Sequence, residues 1–139
     1  VGTKKVFAKY PSTEDVYGLL NPLSDYIAGN NIKKTGYPML HVNRTDSSHF
    51  ETMVAIPVLS EPLATKDFFI KRMAPGKILV TGEIKGGDYA AALAYEQLAN
   101  YVHDYHRVSP AIPFQSLITD RSAEPDTAKW ITKIYYPVF

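Results

Sequence analysis

The chain closes on Trp130-Ile131-Thr132-Lys133-Ile134-Tyr135-Tyr136-Pro137-Val138, an alternating run of β-branched and aromatic residues. The same cadence occurs eighty positions earlier, at Phe50-Glu51-Thr52-Met53-Val54-Ala55-Ile56-Pro57-Val58. Each copy has an aromatic residue, a Thr two residues on, β-branched residues after it and a terminal Pro-Val. Proline offers no N–H to a ladder, so each Pro-Val marks a strand end or a sheet edge. Working outward, Leu23, Tyr26, Ile27, Pro38 and Met39 match Leu98, Tyr101, Val102, Pro113 and Phe114 at a constant offset of seventy-five. Two copies are too few for a solenoid. They predict one domain over 1–139 built from two pseudo-symmetric halves, about 1–60 and about 66–139, with a cleft between them. Ligands favour such internal interfaces.

The chain has 139 residues, enough for one domain with a sound core. Its 45% apolar and 21% charged content is ordinary for a globular protein. A formal net charge of +1 argues against nucleic-acid contact by this segment, and Lys4-Lys5 and Lys33-Lys34 read as solvated positions. The absence of Cys excludes a disulfide framework and a thiolate metal site or nucleophile, and fits the cytoplasm. No apolar run is long enough to span a membrane. A start at Val1 rather than Met is what a fragment or processed product shows, which leaves room for an upstream domain; a homodimer is the other open arrangement. Ten Tyr and six Phe make the chain rich in aromatics with flat apolar bodies, which suit a pocket wall as well as a core margin.

Lys4–Tyr10 alternates loosely and predicts a strand. Ser12 or Thr13 caps a helix whose apolar spacing is carried by Val16, Leu19, Leu20, Leu23 and Ile27, with Gly29-Asn30-Asn31 as its stop. Pro22 is expected to kink or restart that helix. Strands follow at Tyr37–Asn43 and Phe50–Val58. The second half is expected to open on a hairpin, Asp67–Met73 and Lys77–Ile84, around Ala74-Pro75-Gly76. Asp88 is the expected N-cap of a helix with Ala91, Ala94, Tyr95, Leu98, Tyr101, Val102 and Tyr105 on its apolar face. Phe114–Thr119 is a strand, and Asp120–Lys129 is polar turn material. Two helices and about seven antiparallel strands place the chain in the α+β class.

The order and spacing of Pro75-Gly76-Lys77, Lys85-Gly86-Gly87-Asp88-Tyr89, Pro113-Phe114 and the closing strand resemble the GyrI-like small-molecule-binding domain, the effector-binding domain of multidrug-responsive transcription activators. The resemblance implies two α/β halves whose strands join in one curved antiparallel sheet. It also implies an aromatic pocket at the pseudo-twofold centre, with a buried Glu that pairs with cationic drugs. That Glu stands four residues before the Pro of the last Pro-Val, where this chain has Lys133; the matching position in the first half is Met53. The sign of the hook is reversed, so the resemblance and the departure together imply a neutral or anionic aromatic ligand. Glu51 shares strand parity with Met53 and is a candidate partner for Lys133, since a buried ammonium needs one.

The expected lining is Lys133, Tyr135, Glu51 and Met53, with Tyr37, Met39 and His41 or Phe114, Ser116 and Ile118 from neighbouring strands, and Tyr89 closing one side. The expected activity is non-covalent binding, for sensing or sequestration, with no cofactor. Two rivals stand beside it. A hydrolase of reactive genotoxins, known in the resembling family, is weakened by the loss of the acid that ring opening needs. A protein-binding inhibitor of the gyrase-inhibitor type would need a large exposed apolar patch. His103-Asp104-Tyr105-His106 has metal-like spacing but no third ligand, so no metal site is expected.

Overall fold

A computed structural model describes residues 1–60, 68–70, 77–105 and 113–138, with backbone alone for 77–81 and 137–138. The chain divides into two compact units, Val1–Met73 and Ala74–Phe139. The first carries β1 (Gly2–Phe7), α1 (Thr13–Gly29), β2 (Met39–Asp46) and β3 (His49–Ala55). The second carries β4 (Lys77–Lys85), α2 (Asp88–Asp104), β5 (Phe114–Leu117) and β6 (Ile131–Val138). Both are antiparallel, with the last strand in the middle: β1-β3-β2 in one, β4-β6-β5 in the other. The α+β class and the pattern of one helix on antiparallel strands in each half therefore stand.

In the first unit, α1 starts where the sequence places it. Ser12 accepts a hydrogen bond from the Asp15 N–H, and the Asp15 carboxylate accepts one from the Ser12 N–H, a reciprocal capping box. The helix runs through Pro22 without a break in its assignment. Pro22 and Gly18, whose carbonyl loses its donor to the proline, are both exposed, so water can satisfy that oxygen. Asn31 ends the helix at φ 54°, a left-handed position that Asn tolerates. The buried stripe Val16, Leu20, Leu23 and Ile27 faces strands on which Leu40, Thr52 and Val54 are also buried, as is Ile56 just past β3. Each fully buried aliphatic side chain contributes about 1.5–3 kcal/mol. The β2–β3 turn is held by Asp46, which accepts from the Ser48 N–H and lies 2.7 Å from His49 Nδ1. These contacts, the Ser48 N–H foremost, hold its carboxyl below the usual carboxylate range.

Several boundaries move. β1 ends at Phe7, not Tyr10, and β2 is shifted two to three residues along. β3 stops before Pro57, and Val58 keeps only a single bridge, to Lys34. The segment expected to open the second half departs most. Phe69 pairs with Gly2 of β1 through two backbone hydrogen bonds and belongs to the first unit, while 67 and 71–73 of the expected strand lie outside the described residues. The described residues hold six named strands. The expected 74–76 turn lies outside the described residues.

In the second unit, Ala91, Ala94 and Leu98 of α2 pack on Ile134, with Ile84, Tyr95 and Tyr136 around them. The small Ala side chains let the helix sit close to the strands. The N-cap is Gly87 rather than Asp88, which is the first helical residue. Gly86 has a φ of 140°, open to glycine and strained for other residues, and this makes the turn into α2.

The expected polar turn 120–129 contains a buried cation. Arg121 is 7% exposed. It donates to Thr132 Oγ1 at 3.0 Å and Gln115 Oε1 at 3.4 Å, lies 3.5 Å from Asp88 Oδ1, and stacks over Trp130 with its guanidinium carbon 4.6 Å from the ring centroid. One side chain thus ties the start of α2 to β5 and β6.

Candidate functional site

Each helix covers one face of its strands, and most of the residues expected to bind a ligand lie on the other. On β6, Thr132 and Ile134 are buried towards α2, while Ile131, Lys133 and Tyr135 alternate with them and are half-buried. Phe114 is directly opposite Tyr135, and Ser116 directly opposite Lys133. The Phe114 and Tyr135 rings stack at 5.1 Å with 10° between their planes. The two rings stand against each other as an apolar stack, with an ammonium and a hydroxyl one rung further on. Four expected residues, Lys133, Tyr135, Phe114 and Ser116, are thus brought together. Ile118 lies just past the end of β5.

In the first unit, His41 pairs with Met53, Met39 with Ala55 and Asn43 with Glu51. Across the other edge of β3, Lys4 pairs with Met53 and Val6 with Glu51. Glu51, Met53, Met39 and His41 therefore share the face opposite α1, again as one block. Phe69 joins them. A Cβ on Gly2 would meet the Phe69 ring at 2.7 Å, so this ring lies where a side chain on that face would stand. Two thioethers beside an aromatic ring make a soft, adaptable surface.

Two expected residues are not gathered in. Tyr37 lies two residues before β2 and is exposed. Tyr89 is the second residue of α2, on the element that covers the opposite face, and is 78% exposed. His103 is exposed on α2, and His106 lies outside the described residues.

The register identifies a neighbour of Lys133 that the sequence reading missed. Glu83 of β4 stands directly across from it. The ladder pairs Val80 with Tyr135 and then Glu83 with Lys133, so two residues of β4 bulge opposite Ile134. Gly82, at φ 84°, is in the bulge. Without the extra residue, Glu83 would fall on the helix side. A glycine inside a strand was the available signal. Cross-strand partners hold their Cβ atoms about 5 Å apart. Among the described residues, no ion pair within 4.0 Å involves Lys133 or Glu83. Lys85, paired with Ile131 and exposed, adds a second cation to this row. Replacing Gly82 by Ala meets open space but an unfavourable φ. The expected loss is about 1–2 kcal/mol in a urea melt. An unchanged melt would show that the bulge relaxes without strain.

No protein-family model and no curated protein matches the sequence. Solved structures do. The chain is similar to the EcmrR C-terminal domain in its crystal structure, with a TM-score of 0.78 and 15% identity, covering 99% of this chain and 89% of that one. It is also similar to EcmrR in a cryo-EM structure of the EcmrR–DNA complex in EcmrR-RPo, with a TM-score of 0.78 and 16% identity, covering 99% of this chain and 52% of that one. The chain shares the fold of the EcmrR C-terminal domain, in keeping with the GyrI-like fold that the resemblance implies. Among the described residues, no helix is long and apolar enough to cross a membrane.

Proposed function

We propose that the whole chain is one ligand-binding domain of a cytoplasmic transcription regulator. It holds a small, partly aromatic, neutral or anionic molecule without chemistry on it. The observation that carries this reading is the stacked Phe114–Tyr135 pair on the face left open by α2, with half-buried Lys133 beside it. The block of Met39, His41, Glu51, Met53 and Phe69 on the first unit is a second apolar surface with polar groups at its margin. Its thioethers suit ligands of varied shape. The likeness to a domain of EcmrR, which is captured on DNA, supports a regulatory role over a purely sequestering one. A regulator would supply DNA contacts from elsewhere, since this segment has a net charge of only +1.

The test is isothermal titration with planar aromatics. Tyr135→Ala is expected to weaken binding roughly tenfold, since base-sized rings on aromatic side chains contribute about 1–3 kcal/mol. Equal affinity in wild type and variant would show that the aromatic stack does not hold the ligand. A protein-binding role is the second reading. It is favoured by Tyr89, Leu93, Tyr101 and Tyr105, which recur at multiples of four along α2 and are all exposed. Tyr101→Ser would then impair partner capture while leaving aromatic binding intact.

A further inference from the structure

We infer that the open face of the second unit selects planar aromatic carboxylates, with Lys133 and Ser116 receiving the carboxylate and Glu83 acting as an internal competitor for the ammonium. The inference rests on the ligand-binding reading above and adds the ligand's charged group and a specificity residue.

The order of groups across the strands decides the sign. The aromatic stack joins β5 and β6 through Phe114 and Tyr135. The next rung of the same two strands is Ser116 opposite Lys133, about 7 Å along. A substituent on a ligand ring packed against that stack therefore reaches an ammonium and a buried hydroxyl first. Glu83 is one strand further away, on β4, and is exposed where Lys133 is half-buried. An ammonium shielded on one side by its strands gives a stronger charge-assisted hydrogen bond than a group in water. Lys85 leaves the row with an excess of one positive charge over Glu83 and Lys133 together. A ligand carboxylate would approach Lys133 more closely than Glu83 does, which makes no ion pair with it, and a ligand cation would meet repulsion before it reached Glu83.

The experiment compares three near-isosteric probes by isothermal titration: 1-naphthoate, 1-naphthamide and 1-naphthylmethylammonium. In the wild-type chain, naphthoate is expected to bind roughly tenfold tighter than the amide, and the ammonium probe weakest. Lys133→Met should bring naphthoate and amide within about twofold of each other while the amide keeps its affinity. Glu83→Gln should tighten naphthoate several-fold and leave the amide unchanged, which no loss of folding would imitate. Equal binding of acid and amide by the wild type, or strongest binding of the ammonium probe, overturns the inference while leaving aromatic binding in place. If none of the three binds, the ligand-binding reading falls with it.

Discussion

Replacing Arg121 by Met is expected to lower the unfolding free energy by about 3 kcal/mol. The guanidinium is buried, and its loss strands two partners, the Thr132 hydroxyl and the Gln115 carbonyl, which are themselves buried. An acceptor left without its donor costs about 1–3 kcal/mol. The stack on Trp130 adds about 1–2 kcal/mol for a desolvated cation on an indole. The contact with Asp88 adds little, since that carboxylate is half-exposed and solvent screens it. Methionine keeps much of the aliphatic stem, so the loss reports the fork and not the packing. Arg121→Lys should recover only part of the stability, because an ammonium cannot bridge Gln115, Thr132 and Asp88 in one plane. Urea unfolding followed by Trp130 fluorescence measures both. A loss below about 1 kcal/mol for the Met variant would show that Arg121 does not join α2 to its strands.

The second large effect separates two adjacent residues. Ile134→Ala should destabilise the chain by about 3 kcal/mol, as the removal of a fully buried branched side chain from a packed cluster does. Lys133→Ala, one position away, should change stability by no more than about 0.5–1 kcal/mol, since it lies on the other face and holds no ion pair among the described residues. The two variants should behave oppositely in binding: Ile134→Ala keeps carboxylate preference in whatever fraction remains folded, while Lys133→Ala loses it. If Lys133→Ala unfolds the chain as Ile134→Ala does, the assignment of faces is wrong.

The parity of the closing strands carried much of this from sequence. Thr132 and Ile134 alternate with Lys133 and Tyr135, and period-two geometry alone puts them on opposite faces. The same reasoning separated Thr52 and Val54 from Glu51 and Met53. The capping of α1 was legible because Ser12 and Asp15 act locally. What stayed hidden is non-local. Glu83 reaches Lys133 only through an extra residue in β4, and counting by twos from Val80 sends it to the wrong side. Phe69 was assigned to the second half because its neighbours in sequence lie there, while its hydrogen bonds run to Gly2, a partner no local pattern marks. Arg121 looked like a solvated turn residue, since a single cation gives no periodic signal and its partners are brought together only by tertiary packing. Asp88 was expected to cap α2, but Gly87 takes that position and leaves the Asp88 carboxylate for Arg121.

The most direct test of the central claim reads the two faces of β6 by nuclear magnetic resonance. Tyr135 shares its face with Lys133, and Ile134 packs under α2. With tyrosine rings and isoleucine methyls labelled, a titration with 1-naphthoate should shift the Tyr135 ring resonances by the ring current of the bound probe and move the Ile134 methyl far less. A shift confined to Ile134, or none at either residue under conditions where calorimetry reports binding, would contradict a ligand site on the face that α2 leaves open.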